Sequence, residues 1–287
     1  MTTALRDFIK NPTTAELELV ARYGMQPEDA RRERAFLAFS ETGLPHRRME
    51  AWKWSDFKAA LKALETPASA SAKDPLPHDG VLVFRFTPTG FESPTALPDG
   101  LRMVAQPTTQ AMGGAEDVPL GALAAALAGG GSRPAALTFE ITSSDLPRLH
   151  FVFDGAGEAS FARIIFVIRA GASLTLTESY LGGAGFTAAL LEFNLEKGAR
   201  LNRTIYQRGA ADEALAVTGL VNLDADSEAT QTTLAFGAKV ARMETRAVHQ
   251  GPGAKLTLNA AYLSGNGFHA DITTHVRHGA PGCVTRQ

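Results

Sequence analysis

The sequence has one cysteine, two tryptophans and no excess of charge of either sign. Its 28 Lys and Arg stand against 30 Asp and Glu, a formal net charge of −2 over 287 residues. The single cysteine, Cys283, excludes a disulfide framework and any all-cysteine metal site within one copy of the chain. It suits a reducing compartment. The even charge leaves no basic footprint for nucleic acid. No stretch reaches the roughly 18 uninterrupted apolar residues of a membrane helix, and Met1 to Asp7 lack the apolar core of a secretory signal. The expectation is a cytoplasmic protein without a membrane or nucleic-acid partner. Phosphate-binding and hydrolase motifs are missing too. Gly251-Pro252-Gly253-Ala254-Lys255 lacks the spacing and the hydroxyl of a P-loop, and Gly155-Ala156-Gly157 lies between expected strands. No G-x-S-x-G elbow occurs.

What is present begins with an α-helical region over residues 1–65. Thr13 and Glu16 have capping-box spacing ahead of Leu17, Leu19 and Val20. A second helix is expected from Pro27, with Glu28 and Asp29 in its first turn, through Phe36 and Phe39 to Gly43. Its Arg31, Arg32 and Arg34 read as a solvated face. Trp52 and Trp54 follow, as internal anchors or as a partner contact. Residues 66–135 read as a linker (66–77) and an irregular region, with a strand near 81–86 and a short helix at Leu120 to Leu127.

From residue 136 the pattern becomes periodic. Four tight turns open at Gly171, Gly198, Asp226 and Gly253, at intervals of 27, 28 and 27 residues. Apolar residues alternate ahead of each turn: Phe166 and Ile168, Phe193 and Leu195, Val221 and Leu223, then Val248 and Gln250. A fixed period in the twenties without helical spacing predicts a mainly β chain, with residues 136–287 forming a parallel β-helix of about 27 residues per coil. The same alternation permits an antiparallel sandwich. Exposed strand edges at the two ends of a solenoid need covering. The helical region is expected to cap one end. At the other, Arg286-Gln287, either a partner or further chain is expected.

Chemistry has two candidate locations. Asp224, Asp226 and Glu228 cluster at one turn, the kind of carboxylate group a carbohydrate-active β-helix enzyme would use, although Asp at a turn also hydrogen-bonds its own backbone. The second is the C-terminal stretch with His269, Asp271, His275, His278 and Cys283. There His269, Asp271 and His275 share one strand face and His278 takes the other. His278 and Cys283 are its candidate metal ligands, against a plainer reading as a small buried hydrophobe beside hydrogen-bonded imidazoles. A homo-oligomeric structural module, associating through a bare solenoid end, is a third possibility.

Asp271, His278, Pro281, Cys283, Thr285 and Arg286, preceded by His269, resemble a signature of the SufB/SufD family of iron–sulfur cluster assembly proteins. Leu44-Pro45 followed by Glu50-Ala51-Trp52-Lys53-Trp54-Ser55-Asp56 resembles the family's other marker, and Gly253 to Leu263 fits the same alignment. The short helical N-terminus and the lack of a cysteine-rich segment resemble the SufD branch. Ile272-Thr273 departs from the polar pair usual in the family. The resemblance implies a β-helical, non-catalytic scaffold that pairs with a SufB-like partner and binds a SufC-like ATPase. An iron–sulfur cluster would then form only in the assembled complex, with none bound by this chain alone. It also implies that the family's SufC-binding helices and Cys-x-His segment would follow the position of Gln287. No catalytic residue is carried over.

Overall fold

The computed structural model describes residues 9–64, 73–87, 90–104, 117–129, 133–155, 159–183 and 185–287. Much of the linker expected over 66–77 lies outside them. Among these residues there are four α-helices: α1 (Thr14–Gly24), α2 (Ala30–Thr42), α3 (Phe57–Ala60) and α4 (Pro119–Leu127). The strands are β1 (Val81–Phe86), β2 (Phe91–Glu92), β3 (Leu101–Val104), β4 (Leu137–Ile141), β5 (Arg148–Phe153), β6 (Ser160–Ile168), β7 (Ser173–Tyr180), β8 (Phe186–Leu195), β9 (Arg200–Gln207), β10 (Ala214–Leu223), β11 (Glu228–Ala235), β12 (Val240–His249), β13 (Lys255–Tyr262), β14 (Ala270–His278) and β15 (Val284–Arg286). No helix among the described residues is long and apolar enough to cross a membrane.

Successive strands alternate between two sheets, ordered β15-β13-β11-β9-β7-β5-β1-β2 and β14-β12-β10-β8-β6-β4-β3. Pairing is parallel throughout, except where β2 meets β1 and β3 meets β4. This is a parallel β-solenoid. The sheets also take in β1, β2 and β3, ahead of residue 136, where the sequence places the start of the β-helix.

In a solenoid each interior position lies against its equivalent one coil away. Phe139, Phe166 and Phe193 stack at ring separations of 5.4 and 5.0 Å, and Phe86, Phe153 and Tyr180 at 5.1 and 4.5 Å. The corners repeat as well. Gly171, Gly198, Gly253 and Gly282 have φ of 71°, 67°, 73° and 69°, a left-handed turn conformation open to glycine. Asp226, which breaks the Gly pattern in sequence, takes the same conformation with φ 57°, as Asp and Asn tolerate. The corner amides of Gly171, Gly198, Asp226 and Gly253 donate to the next coil, at the carbonyls of Lys197, Ala225, Pro252 and Pro281, over 2.9–3.1 Å.

One register differs from the sequence expectation. Val221 and Leu223 stand opposite Ala247 and His249, not Val248 and Gln250. The amides of Gln250 and Gly251 both donate to the Leu223 carbonyl, at 2.7 and 3.1 Å. The corner after β12 thus carries an extra residue, a bulge that spacing counted from the turn glycine cannot reveal.

The helical region does not cap a solenoid end. α4 packs on β6, β8 and β10, and one apolar cluster joins α1, α2, Trp52 and Phe57 to the outward-facing Phe161, Phe186, Leu190, Ala216 and Leu220. The antiparallel β2 and β3 terminate the sheets at the N-terminal end. Glu16 organises the helices. It completes the capping box with Thr13, accepts the Leu44 amide at 2.8 Å and pairs with Lys58 at 3.1 Å. α2 begins at Asp29, whose side chain caps it, later than Pro27. Arg32 is buried, not solvated, and its guanidinium donates to the Ala126 and Ala128 carbonyls at 2.6 and 3.0 Å, where α4 ends with free acceptors.

Polar groups interrupt the apolar interior. Arg203 forks onto both oxygens of Glu178, donates to Gln231 Oε1 at 2.9 Å and lies over the Phe193 ring. A Cβ at Gly219 would stand 2.5 Å from Arg203 Nη1, so glycine makes room for the guanidinium. Arg203→Met leaves Glu178 buried without its cation and is expected to cost about 3–5 kcal/mol in urea unfolding; adding Glu178→Leu should recover part of that loss.

Glu213 is almost fully buried against Gly182 and Gly209, and its Oε1 has no hydrogen-bond partner among the described residues. Burial raises its carboxyl from 4.5 to about 8. The folded chain keeps this proton over a range where the unfolded chain has released it. Stability should therefore fall as pH rises from 4.5 to about 8. Thermal melts across that range should show the slope flattened in Glu213→Gln.

Candidate functional site: the C-terminal coils and the tryptophan segment

The residues singled out at opposite ends of the sequence meet on β12 and β14. Glu50–Trp52 forms a 3-10 turn, and each following residue has a separate task. The Ala51 carbonyl accepts from Arg242 Nη1 at 2.9 Å. The buried Trp52 ring lies under the same guanidinium, 3.9 Å from Cζ to centroid, and meets Phe57 edge-on. Trp54 is 77% exposed. Ser55, fully buried, donates to Asp271 Oδ2 and lies 3.1 Å from His269 Nε2. Asp56 caps α3 through the Ala59 amide. The two tryptophans thus divide between a core anchor and an exposed ring.

Asp271 is the meeting point. It stands opposite Arg242 in the β12–β14 register, and its Oδ2 accepts from Arg242 Nη1 at 2.7 Å. Thr273 donates to its second oxygen at 2.8 Å. Burial pushes the Asp271 carboxyl up, but the Ser55 hydrogen bond and the Arg242 charge outweigh it and hold the group below the usual carboxylate range. Arg242 also pairs with Glu244 at 3.0 Å, and Glu244 with Arg246 at 2.8 Å.

Inside the coil, the ladder that runs Ile141, Ile168, Leu195 and Leu223 continues into His249 and His278. Both histidines place Nε2 on Thr285 Oγ1, at 3.0 and 2.9 Å, with ring centroids 4.4 Å apart. Burial, and then the neighbouring His278, push the His249 imidazole below its ordinary range. Cys283 follows the left-handed corner residue as Ala172, Ala199, Ser227 and Ala254 do. It packs on the interior and points its thiol at the Gly251 carbonyl, 3.3 Å away. Pro281 occupies the second position of a Pro-Gly corner, where its fixed φ favours the turn. His278 is joined to His249 and Thr285, and His269 and Asp271 to Ser55. His275 lies 3.9 Å from Glu244.

Residues 151–287 match the family model described as SUF system FeS cluster assembly, SufBD core domain. The match supports the SufB/SufD family. No curated protein matches the chain significantly. The matched span starts within β5 and takes in every later strand, including Asp271, His278, Pro281 and Cys283.

Arg242 and His249 escape the sequence reading, although a lone arginine within the apolar start of β12 was a usable signal. Two of the three acids of the alternative enzyme reading serve the corner. Asp224 accepts the Ala225 amide at 2.7 Å, Asp226 takes the left-handed turn position, and Glu228 is exposed.

Asp271→Asn removes the charge shared by Ser55 and Arg242 and is expected to lower stability by about 1–3 kcal/mol. In a Trp54→Phe background, the emission of Trp52 should shift to the red as its segment detaches. An unmoved spectrum means that the segment holds without Asp271.

Proposed function

We propose that this chain is a non-catalytic scaffold subunit of an iron–sulfur cluster assembly complex, of SufD type, which pairs with a SufB-like partner and a SufC-like ATPase in the cytoplasm. The match of residues 151–287 to the SufBD core domain carries the reading. The tryptophan segment supports it, because it lies outside that match and still docks on Asp271. A rigid solenoid offers surfaces for assembly, and the histidine, threonine and cysteine groups of its final coils are engaged with one another or with the backbone. In this reading a cluster is held by the assembled complex and His278 and Cys283 are structural.

Size-exclusion chromatography of the chain mixed with SufB-like and SufC-like proteins from the same source tests it. A stable complex is expected, with cluster absorbance after iron and sulfide supply confined to it. Elution of the chain separately from both, as a monomer or a homodimer, overturns the pairing. Cluster absorbance on the isolated chain overturns the cofactor assignment.

A further inference from the structure

The outer face of the other sheet carries a second polar cluster, about which the SufBD match says nothing. His150 on β5 points outward, is fully buried and is covered by residues 73–79. Asp74 in that segment brings Oδ2 to 3.2 Å from His150 Nε2 and to 3.0 Å from His78 Nε2. The segment is built to hold this shape. The Leu76 amide donates to Asp74 Oδ1 at 3.1 Å, Pro75 and Pro77 restrict the backbone between Asp74 and His78, and Arg148 donates to the Pro77 carbonyl at 3.1 Å. Ser179 on β7 completes the group, its Oγ 2.9 Å from His150 Nε2 and 3.1 Å from Asp74 Oδ1.

We propose that Asp74, His78 and His150 form a mononuclear site for a divalent transition-metal cation of the zinc or iron(II) type. The three donor atoms lie within 4.8 Å of one another. Ligands about 2.0–2.1 Å from one ion, at angles between about 90° and 110°, are themselves separated by about 2.9–3.4 Å, and both Asp74–imidazole distances fall in that interval. Two imidazoles and one carboxylate are a borderline donor set that suits zinc and iron(II) better than calcium or magnesium. His150 Nδ1 has no hydrogen-bond partner among the described residues, so every polar contact of this buried ring is made at the convergence point. His78, 37% exposed in its side chain, opens the cluster to entering ions. Burial pushes the Asp74 carboxyl up, but hydrogen bonds from His150 and His78 outweigh it and keep it well below the usual range, ready as an anionic ligand. Ser179 Oγ or water would fill the remaining coordination.

The test uses the full chain, stripped with a chelator and titrated with cobalt(II) as a spectroscopic stand-in. One equivalent should produce visible d–d bands that zinc displaces. His78→Asn, at a partly exposed position that folding tolerates, should weaken binding by about tenfold or more, and Asp74→Asn should do the same. His278→Asn should leave binding unchanged. Absence of bands with cobalt in large excess overturns the site. So does unchanged affinity in the two cluster variants, or a loss of binding in His278→Asn, which would move the ion to the final coils. None of these outcomes bears on the SufB pairing.

Discussion

Parallel stacking of equivalent positions is the constraint on which the rest of this molecule depends. A coil has no interior of its own, because each strand is satisfied only by the strand one repeat away. Whatever occupies an interior position must therefore be compatible with its counterparts above and below. Phenylalanines stack on phenylalanines in the early coils. The ladder of Ile168, Leu195 and Leu223 becomes a pair of histidines joined through one threonine. The corners obey the same rule, since Gly171, Gly198, Asp226 and Gly253 each present their amide to a carbonyl of the following corner. An aspartate serves where glycine is absent because the conformation, not the residue type, is what the stack requires.

That constraint made part of the fold legible in sequence. Gly171, Gly198 and Gly253 mark the period, and alternating Phe166, Ile168, Phe193 and Leu195 mark the inward face. What spacing could not show was the extra residue near Gly251, because a bulge preserves the distance between turn glycines while shifting the strand between them. It hid His249, whose register with Leu223 depends on that shift. The destination of the helices was hidden for another reason. The outward residues Phe186, Leu190 and Leu220 look like any buried strand residues in sequence, and only the fold shows that helices cover them rather than a second coil. Arg32 is hidden on the same ground: three arginines close together on one helix look solvated in sequence, and only the fold brings the end of α4 beside one of them.

The site was legible only as separate halves. The tryptophan segment and the histidine-rich stretch each had a recognisable pattern, but nothing in either specified contact between residues more than two hundred positions apart. Contact runs through Arg242, which no motif contained. A guanidinium over an indole, beside two carboxylates and a backbone carbonyl, satisfies four neighbours at once. Its planar fork and permanent charge suit that task, and lysine could not reproduce it.

The two polar clusters share a construction that follows from the solenoid. Interior positions are committed to stacking, so a strand offers chemistry to the outside only through its outward residues, and those point one way in a fixed array. A segment outside the repeat must supply the complementary groups. Ser55 does so for Asp271 on one sheet, and Asp74 with His78 does so for His150 on the other. Each supplying segment is short and stiffened at hand, by the 3-10 turn and Asp56 cap in one case and by two prolines and an aspartate turn in the other. The coils fix where a strand residue stands, and the flanking segment determines what that residue can do.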